Sequence, residues 1–274
     1  MKEFVKYFSE ISELCQKLSD TYNDLSFDKD VDATEVMTLT YLKLVNINTK
    51  SISLLLEKDL YIPTILISRN IFEAFFNLNW VFEVESQDER RERVYRLEGE
   101  PYFNFEKELK LMEEEQKEEI TTWKKEVVEE LRRITLQEME EFPHLVTKDK
   151  NGNLTFKTAP NFAARMREHR LKFYHIYRFT SFFTHPTPRI KEFLLSNSIN
   201  EQTPLEYISE PLSQMYTYII LYISSIMEYS RILFDNISPK YRNERKSIID
   251  RIKEIINESN KNYFGFKKET TLPL

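Results

Sequence analysis

Three glycines in 274 residues, Gly99, Gly152 and Gly265, restrict this chain more than any motif it carries. About 7% glycine, near twenty residues, is ordinary for such a length. Neither G-x-G-x-x-G nor G-x-x-x-x-G-K-[ST] can be written with glycines so far apart, so the common phosphate-cradling loops are excluded. Sandwiches and barrels need repeated positive-φ turn positions, which this chain rarely supplies. A helical fold remains.

The single cysteine, Cys15, excludes an intrachain disulfide and any multi-cysteine zinc site. Four histidines, His144, His169, His175 and His185, limit the imidazole chemistry to be considered. The opening Met1-Lys2-Glu3-Phe4 is charged and lacks the apolar run of a signal peptide. The most apolar stretch, Leu212 to Leu233, is interrupted by Gln214, Ser224, Ser225, Glu228 and Arg231, so it reads as a buried helix. The expectation is a cytoplasmic protein with no membrane partner.

Prolines punctuate the chain, because proline is tolerated at a helix start and not inside one. Lys2 to about Asn23 carries Phe4, Phe8, Ile11, Leu14, Cys15 and Leu18 at helical period. Asp32-Ala33-Thr34-Glu35 reads as a capping box opening a helix to about Glu57, and Pro63 stands just inside a third helix reaching about Glu85. Ser86-Gln87-Asp88-Glu89 repeats the box, and Gly99-Glu100-Pro101 interrupts the charged helical segment that follows to about Glu141. Asn151-Gly152, flanked by His144-Leu-Val-Thr and Leu154-Thr-Phe-Lys, predicts a two-residue hairpin turn near 144–158. Asn161 caps a helix to about Thr184, Pro204 starts a long helix to about Phe234, and Pro239 starts the last. The expected architecture is all-α, a multi-helix bundle with a short inserted β-hairpin. It forms one helical domain over 1–257, with an acidic arm at 83–141, an insertion at 143–160 and a frayed tail at 258–274.

Charge is uneven. Residues 83–141 hold 20 Asp and Glu against 11 Lys and Arg, a balance of −9, and the rest of the chain is +3. This arm reads as a solvated face or as a docking surface for a basic protein. Arg165, Arg167, Arg170, Lys172 and Arg178, opposed only by Glu168, are either an ordinary charged helix face or a cationic patch for a phosphate-bearing ligand.

Two helices place polar residues where periodicity predicts core. On the third helix, Arg69 and Glu73 share a stripe with Ile62, Ile65, Leu66, Phe72, Phe76 and Trp80, and the opposite face is apolar as well. Such a helix is central, which puts Arg69 and Glu73 inside, paired at i,i+4 as a structural clamp or as part of a site. On the Asn161 helix, Tyr174, Arg178, Ser181 and His185 line one face with Leu171, and Phe179, Phe182 and Phe183 anchor it. A guanidinium and an imidazole on one face suit a phosphodiester: Arg178 neutralises charge and His185 moves a proton near pH 7, with Ser181 and Tyr174 donating further bonds. The alternative is that His185 caps a helix C-terminus.

Ser68-Arg69-Asn70-Ile71-Phe72-Glu73-Ala74 and Tyr177-Arg178-Phe179-Thr180-Ser181-Phe182-Phe183-Thr184-His185-Pro186, in this order, resemble the two motifs of a bacterial helical domain of unknown function, family 5677. The resemblance covers roughly Val36 to Met227 and implies no activity. Arg178-x6-His185 also resembles the Arg-x4-6-His motif of HEPN (higher eukaryotes and prokaryotes nucleotide-binding) helical domains. Two departures stand against that likeness: Phe179 replaces a small polar residue, and Pro186 ends the helix early. The HEPN resemblance implies a dimeric, metal-independent endoribonuclease. In it Arg178 binds the scissile phosphate, His185 serves in acid–base transfer, and the RNA 2′-hydroxyl is the nucleophile.

The reading is therefore an HEPN-like RNA-cleaving or RNA-binding protein of a bacterial stress or antiphage kind, acting as a homo-oligomer. It uses Arg178 and His185, with Arg69, Glu73, Ser181 and Tyr174 in support, and needs no cofactor and no metal. The alternatives are a non-catalytic interaction protein, in which these polar residues fix helix register, and a bundle binding a small ligand or nucleotide.

Overall fold

The computed structural model describes residues 2–22, 32–97, 125–127, 129, 130, 133, 140, 142–148, 150, 154–166, 180, 181 and 205–264. In chain order the helices are α1 (Lys2–Asp20), α2 (Ala33–Leu56), α3 (Tyr61–Phe82), α4 (87–97), α5 (Phe162–Arg165), α6 (Leu205–Ile237) and α7 (Arg242–Phe264). Strands β1 (Val146–Lys148) and β2 (Leu154–Phe156) pair antiparallel after a 3-10 turn at Pro143–Leu145. The fold is all-α with a short hairpin. It divides into two compact units, one of Met1–Val31, Glu35–Leu78 and Met166–Leu274, the other of Asp32–Thr34 and Asn79–Arg165.

In the first unit, the apolar stripe of α1 is buried as its period requires: Phe4, Phe8, Ile11, Leu14, Cys15 and Leu18. They meet α6. The Phe4 and Phe8 rings lie 5.3 and 5.5 Å from Tyr216, and the Cys15 thiol donates to the Met227 sulfur at 3.6 Å. From α3, Phe72, Phe75 and Phe76 surround Tyr222 at 4.9, 4.3 and 5.9 Å. Three small polar residues of α6, Thr217, Ser225 and Ser230, donate to carbonyls four residues back in their own helix. This is why polar interruptions sit inside a core helix at little cost.

Glycine's absence is met locally. The α2 helix ends with Asp59 at φ 55° while Leu60 N–H donates to Leu55 C=O at 2.9 Å, the left-handed cap usually given to glycine. Pro211, unlike the other prolines read as punctuation, lies inside α6. It is exposed, so water can serve the carbonyl left without a donor. The last helix passes Asn257 and runs on to Phe264, because its packing continues: Ser259 is fully buried and its hydroxyl lies 3.1 Å from that of Thr217. Arg251 grips Glu10 of α1 with two bonds, at 2.6 and 3.1 Å.

In the second unit, Asp32 and Ser86 act as the caps their motifs predict. Asp32 Oδ1 accepts from Thr34 N–H at 2.7 Å, and Ser86 Oγ accepts from Glu89 N–H at 3.5 Å. Trp80 is flanked by the Arg93 and Arg96 guanidinium groups, 4.9 and 5.2 Å from its ring. The strand leaving the hairpin is strapped to α4: Ala159 N–H donates to Arg96 C=O at 2.8 Å, and Arg96 Nη2 donates to Thr158 C=O at 3.3 Å. The register corrects the expected two-residue turn. A turn on Asn151-Gly152 alone sets Lys148 opposite Thr155, whereas Lys148 pairs with Leu154. Five residues, 149–153, therefore separate the paired ends. Residues 149 and 151–153 lie outside the described residues, as does most of the 83–141 arm beyond residue 97.

Candidate functional site

Helix α3 is as central as its sequence implies. Ile65, Ser68, Ile71, Phe72, Phe76 and Leu78 are fully buried. One strip of it nevertheless reaches solvent: Leu66 and Asn70 are exposed, while Arg69, Glu73 and Asn77 are half-buried. The expectation that Arg69 and Glu73 lie in the interior is thus corrected. Arg69 Nε donates to Glu73 Oε1 at 2.9 Å, and their side chains keep 23% and 44% exposure. Complete burial costs several kcal/mol per ion, on the order of what an excellent pair returns, so charges settle at the edge of the core.

A polar seam runs beside this pair. Asn77 Nδ2 donates to the Tyr41 hydroxyl of α2 at 2.8 Å. Asn48 lies two turns along α2 from Tyr41, on the same face. Tyr41 and Asn48 share one face of α2; Asn70, Glu73 and Asn77 share one face of α3. Asn48 is 93% buried, at 7% exposure, yet its Nδ2 has no hydrogen-bond partner among the described residues, and neither does Asn77 Oδ1. The open acceptor of Asn77 thus stands one turn along α3 from the Arg69–Glu73 pair, and the open donor of Asn48 lies on α2. Orphaned amide atoms of this kind mark places where water or a ligand belongs. The donor set suits a polar organic ligand: amides, a phenol, a guanidinium and a carboxylate.

Of the remaining sequence-predicted residues, Ser181 is described. It sits half-buried in a helical turn beside the fully buried Thr180, in the same compact unit as Arg69 and Glu73. Tyr174, Arg178 and His185 lie outside the described residues. Arg165 leaves the expected cationic patch: it is buried in the second unit, donates to Pro160 C=O and lies 5.8 Å over the Phe162 ring. Its stem and head are used in closing the turn that Asn161 caps through Ala164 N–H at 2.9 Å.

Burial sets the titration of the core. It pushes the Cys15 thiol up to about 12, which makes it an inert core residue, and it raises the phenols of Tyr22, Tyr216 and Tyr222. Sequence reasoning missed the largest buried charge, Arg245. Its Nη1 donates to Asp235 Oδ1, Phe234 C=O and Ser238 C=O at 3.1, 3.0 and 2.9 Å, and its Nε donates to Thr21 at 3.0 Å. The only signal was an arginine in the first turn of an amphipathic helix, which normally reads as solvated. Among the described residues, no group of three His, Cys, Asp or Glu side chains is placed to hold a metal ion. No helix among them is long and apolar enough to cross a membrane.

No curated protein and no solved structure matches the chain. One family model matches residues 34–203, which include the Arg69–Glu73 strip, the Asn48 and Asn77 seam and the Arg178-x6-His185 segment. The chain therefore belongs to that family, described as a family of unknown function (DUF5677).

Proposed function

We propose that the chain is an HEPN-like protein that binds or cleaves RNA, in a bacterial stress or antiphage role. The observation that carries this reading is the polar seam of α2 and α3. A half-exposed ion pair contributes about 0–1 kcal/mol, and each open buried amide atom costs about 1–3 kcal/mol. Stability alone does not favour such a strip on a central helix, and sites that give up stability in this way are commonly binding sites. Arg178 neutralises the phosphate, and His185 exchanges the proton. Attack of the 2′-hydroxyl forms the O2′–P bond as its proton leaves to a base; the P–O5′ bond breaks as that oxygen gains a proton. The products are a 2′,3′-cyclic phosphate and a 5′-hydroxyl. Arg69, Glu73, Ser181 and Tyr174 orient these groups, and the acidic 83–141 arm docks a basic partner.

The solvent access of Arg69 and Glu73 fits a ligand site better than a buried network that fixes register. A bundle binding a small ligand or nucleotide uses the same seam without the chemistry. The test is expression of wild type beside Arg178→Ala and His185→Ala, with soluble levels matched, followed by incubation of purified protein with end-labelled RNA in EDTA. Growth arrest and cleavage by wild type alone support the reading. Soluble wild type that neither binds nor cuts RNA overturns it.

A further inference from the structure

Helix α2 has a second face that is exposed and that no described residue covers. Val36, Thr40, Lys43, Ile47, Lys50, Leu54 and Glu57 follow alternating four- and three-residue steps, the spacing of a helix–helix seam, and every one of them is exposed. Ile47 and Leu54, at 64% and 54%, are the two most exposed large apolar residues described. The core-facing positions are a different set, Val45, Ile52 and Leu56 among them. Lys43, Lys50 and Glu57 have no ion-pair partner among the described residues.

The stripe is self-complementary when reversed. With Lys50 as its centre, Ile47 lies three residues before and Leu54 four after, while Lys43 lies seven before and Glu57 seven after. Two copies laid antiparallel about a twofold axis at Lys50 bring Ile47 against Leu54 of the second copy, and Lys43 against Glu57 of the second copy, each contact occurring twice. Glu13 lines the same groove and supplies an opposite charge to it.

That groove, between α1 and α2, has a volume of about 500 Å³. Part of its floor is already paired, which lowers the cost of covering it. Ser12 Oγ donates to Asn46 at 3.1 Å, Asn46 donates to Gln16 at 2.9 Å, and Ser53 Oγ donates to Val5 C=O at 3.2 Å. Small floor side chains at Ser9, Ser12 and Ser53 admit a close helix.

We propose that this face is a homodimer interface in which α2 packs antiparallel on α2 of a second copy of the chain. The inference does not rest on the RNA reading. Sedimentation of the full chain at micromolar concentration is expected to give twice 33.1 kDa. Ile47→Lys gives a folded monomer whose melting temperature does not depend on protein concentration, whereas that of the wild type rises with it. Lys43→Glu and Glu57→Lys each weaken association about tenfold, and the double charge swap restores it. Fourteen residues place positions 43 and 57 about 21 Å apart on one helix, so restoration arises only between copies. Lys50→Cys forms a disulfide-linked dimer under mild oxidation, with Cys15 buried out of reach. A monomeric wild type overturns the proposal, as does a dimer indifferent to Ile47→Lys, or a double swap that fails to restore it; each leaves the groove to another occupant.

Discussion

Arg245 and Arg69 show that two arginines in helical sequence carry very different weight. Arg245 is fully buried and closes the ends of α1 and α6 against the start of α7. Arg245→Ala removes its bonds to Asp235, Thr21 and two carbonyls at once, so a loss of about 3–5 kcal/mol is expected by urea denaturation. Arg69→Ala removes a half-exposed pair, and stability should fall by no more than about 1 kcal/mol. A loss of RNA binding with that small change places Arg69 in the site; a large drop in stability returns it to the scaffold. Cys15 carries a pH dependence. Its thiol ionises at about 8.5 when unfolded and is pushed up to about 12 by burial. The folded state therefore holds the proton more tightly, and this contribution is complete below about 8.5 and lost as pH rises toward 12. Tyr22, Tyr216 and Tyr222 act in the same direction. Denaturation midpoints between pH 8 and about 11 should fall, while iodoacetamide labels Cys15 only on unfolding.

At the scale of elements, caps and faces were legible, and exceptions to local rules were not. The Asp32, Ser86 and Asn161 caps and the buried stripe of α1 follow from the residues concerned. Pro211 is invisible to such reasoning, because a proline tolerated inside a helix depends on which face it occupies. Its replacement by alanine restores a backbone donor, and α6 should gain about 1–3 kcal/mol, read as a higher melting temperature. The hairpin register slipped for a related reason: Asn-Gly names a turn but does not state how many residues flank it. The Asp59 cap belongs here too, since an aspartate at positive φ replaces the glycine that the composition withholds.

For the whole molecule, the proposed RNA binding carries a salt dependence set by charge. The net charge is −6, Arg165 is committed to Pro160, and the other four cations of the cluster, Arg167, Arg170, Lys172 and Arg178, lie outside the described residues. Each phosphate contact on a single strand adds about −0.7 to the slope of log K against log salt, so a slope near about −3 is expected. A slope near zero removes the cationic segment from the RNA site, and a much steeper one requires a second basic surface. The salt series is read at fixed protein concentration, because dimerisation through α2 changes the number of sites per particle.

Composition and periodicity determined that this chain is helical, where its helices begin and which stripes meet the core, because these are local consequences of backbone conformation and side-chain spacing. The same information put Arg69, Glu73 and Arg178 forward as polar residues in apolar company. It could not say that Arg69 and Glu73 stay at the edge, that Arg245 is enclosed, or that Asn48 and Asn77 hold open atoms. Nor could it separate the covered face of α2 from the bare one. Burial belongs to neighbours that are distant in sequence, and the desolvation of a charge is decided only when those neighbours arrive.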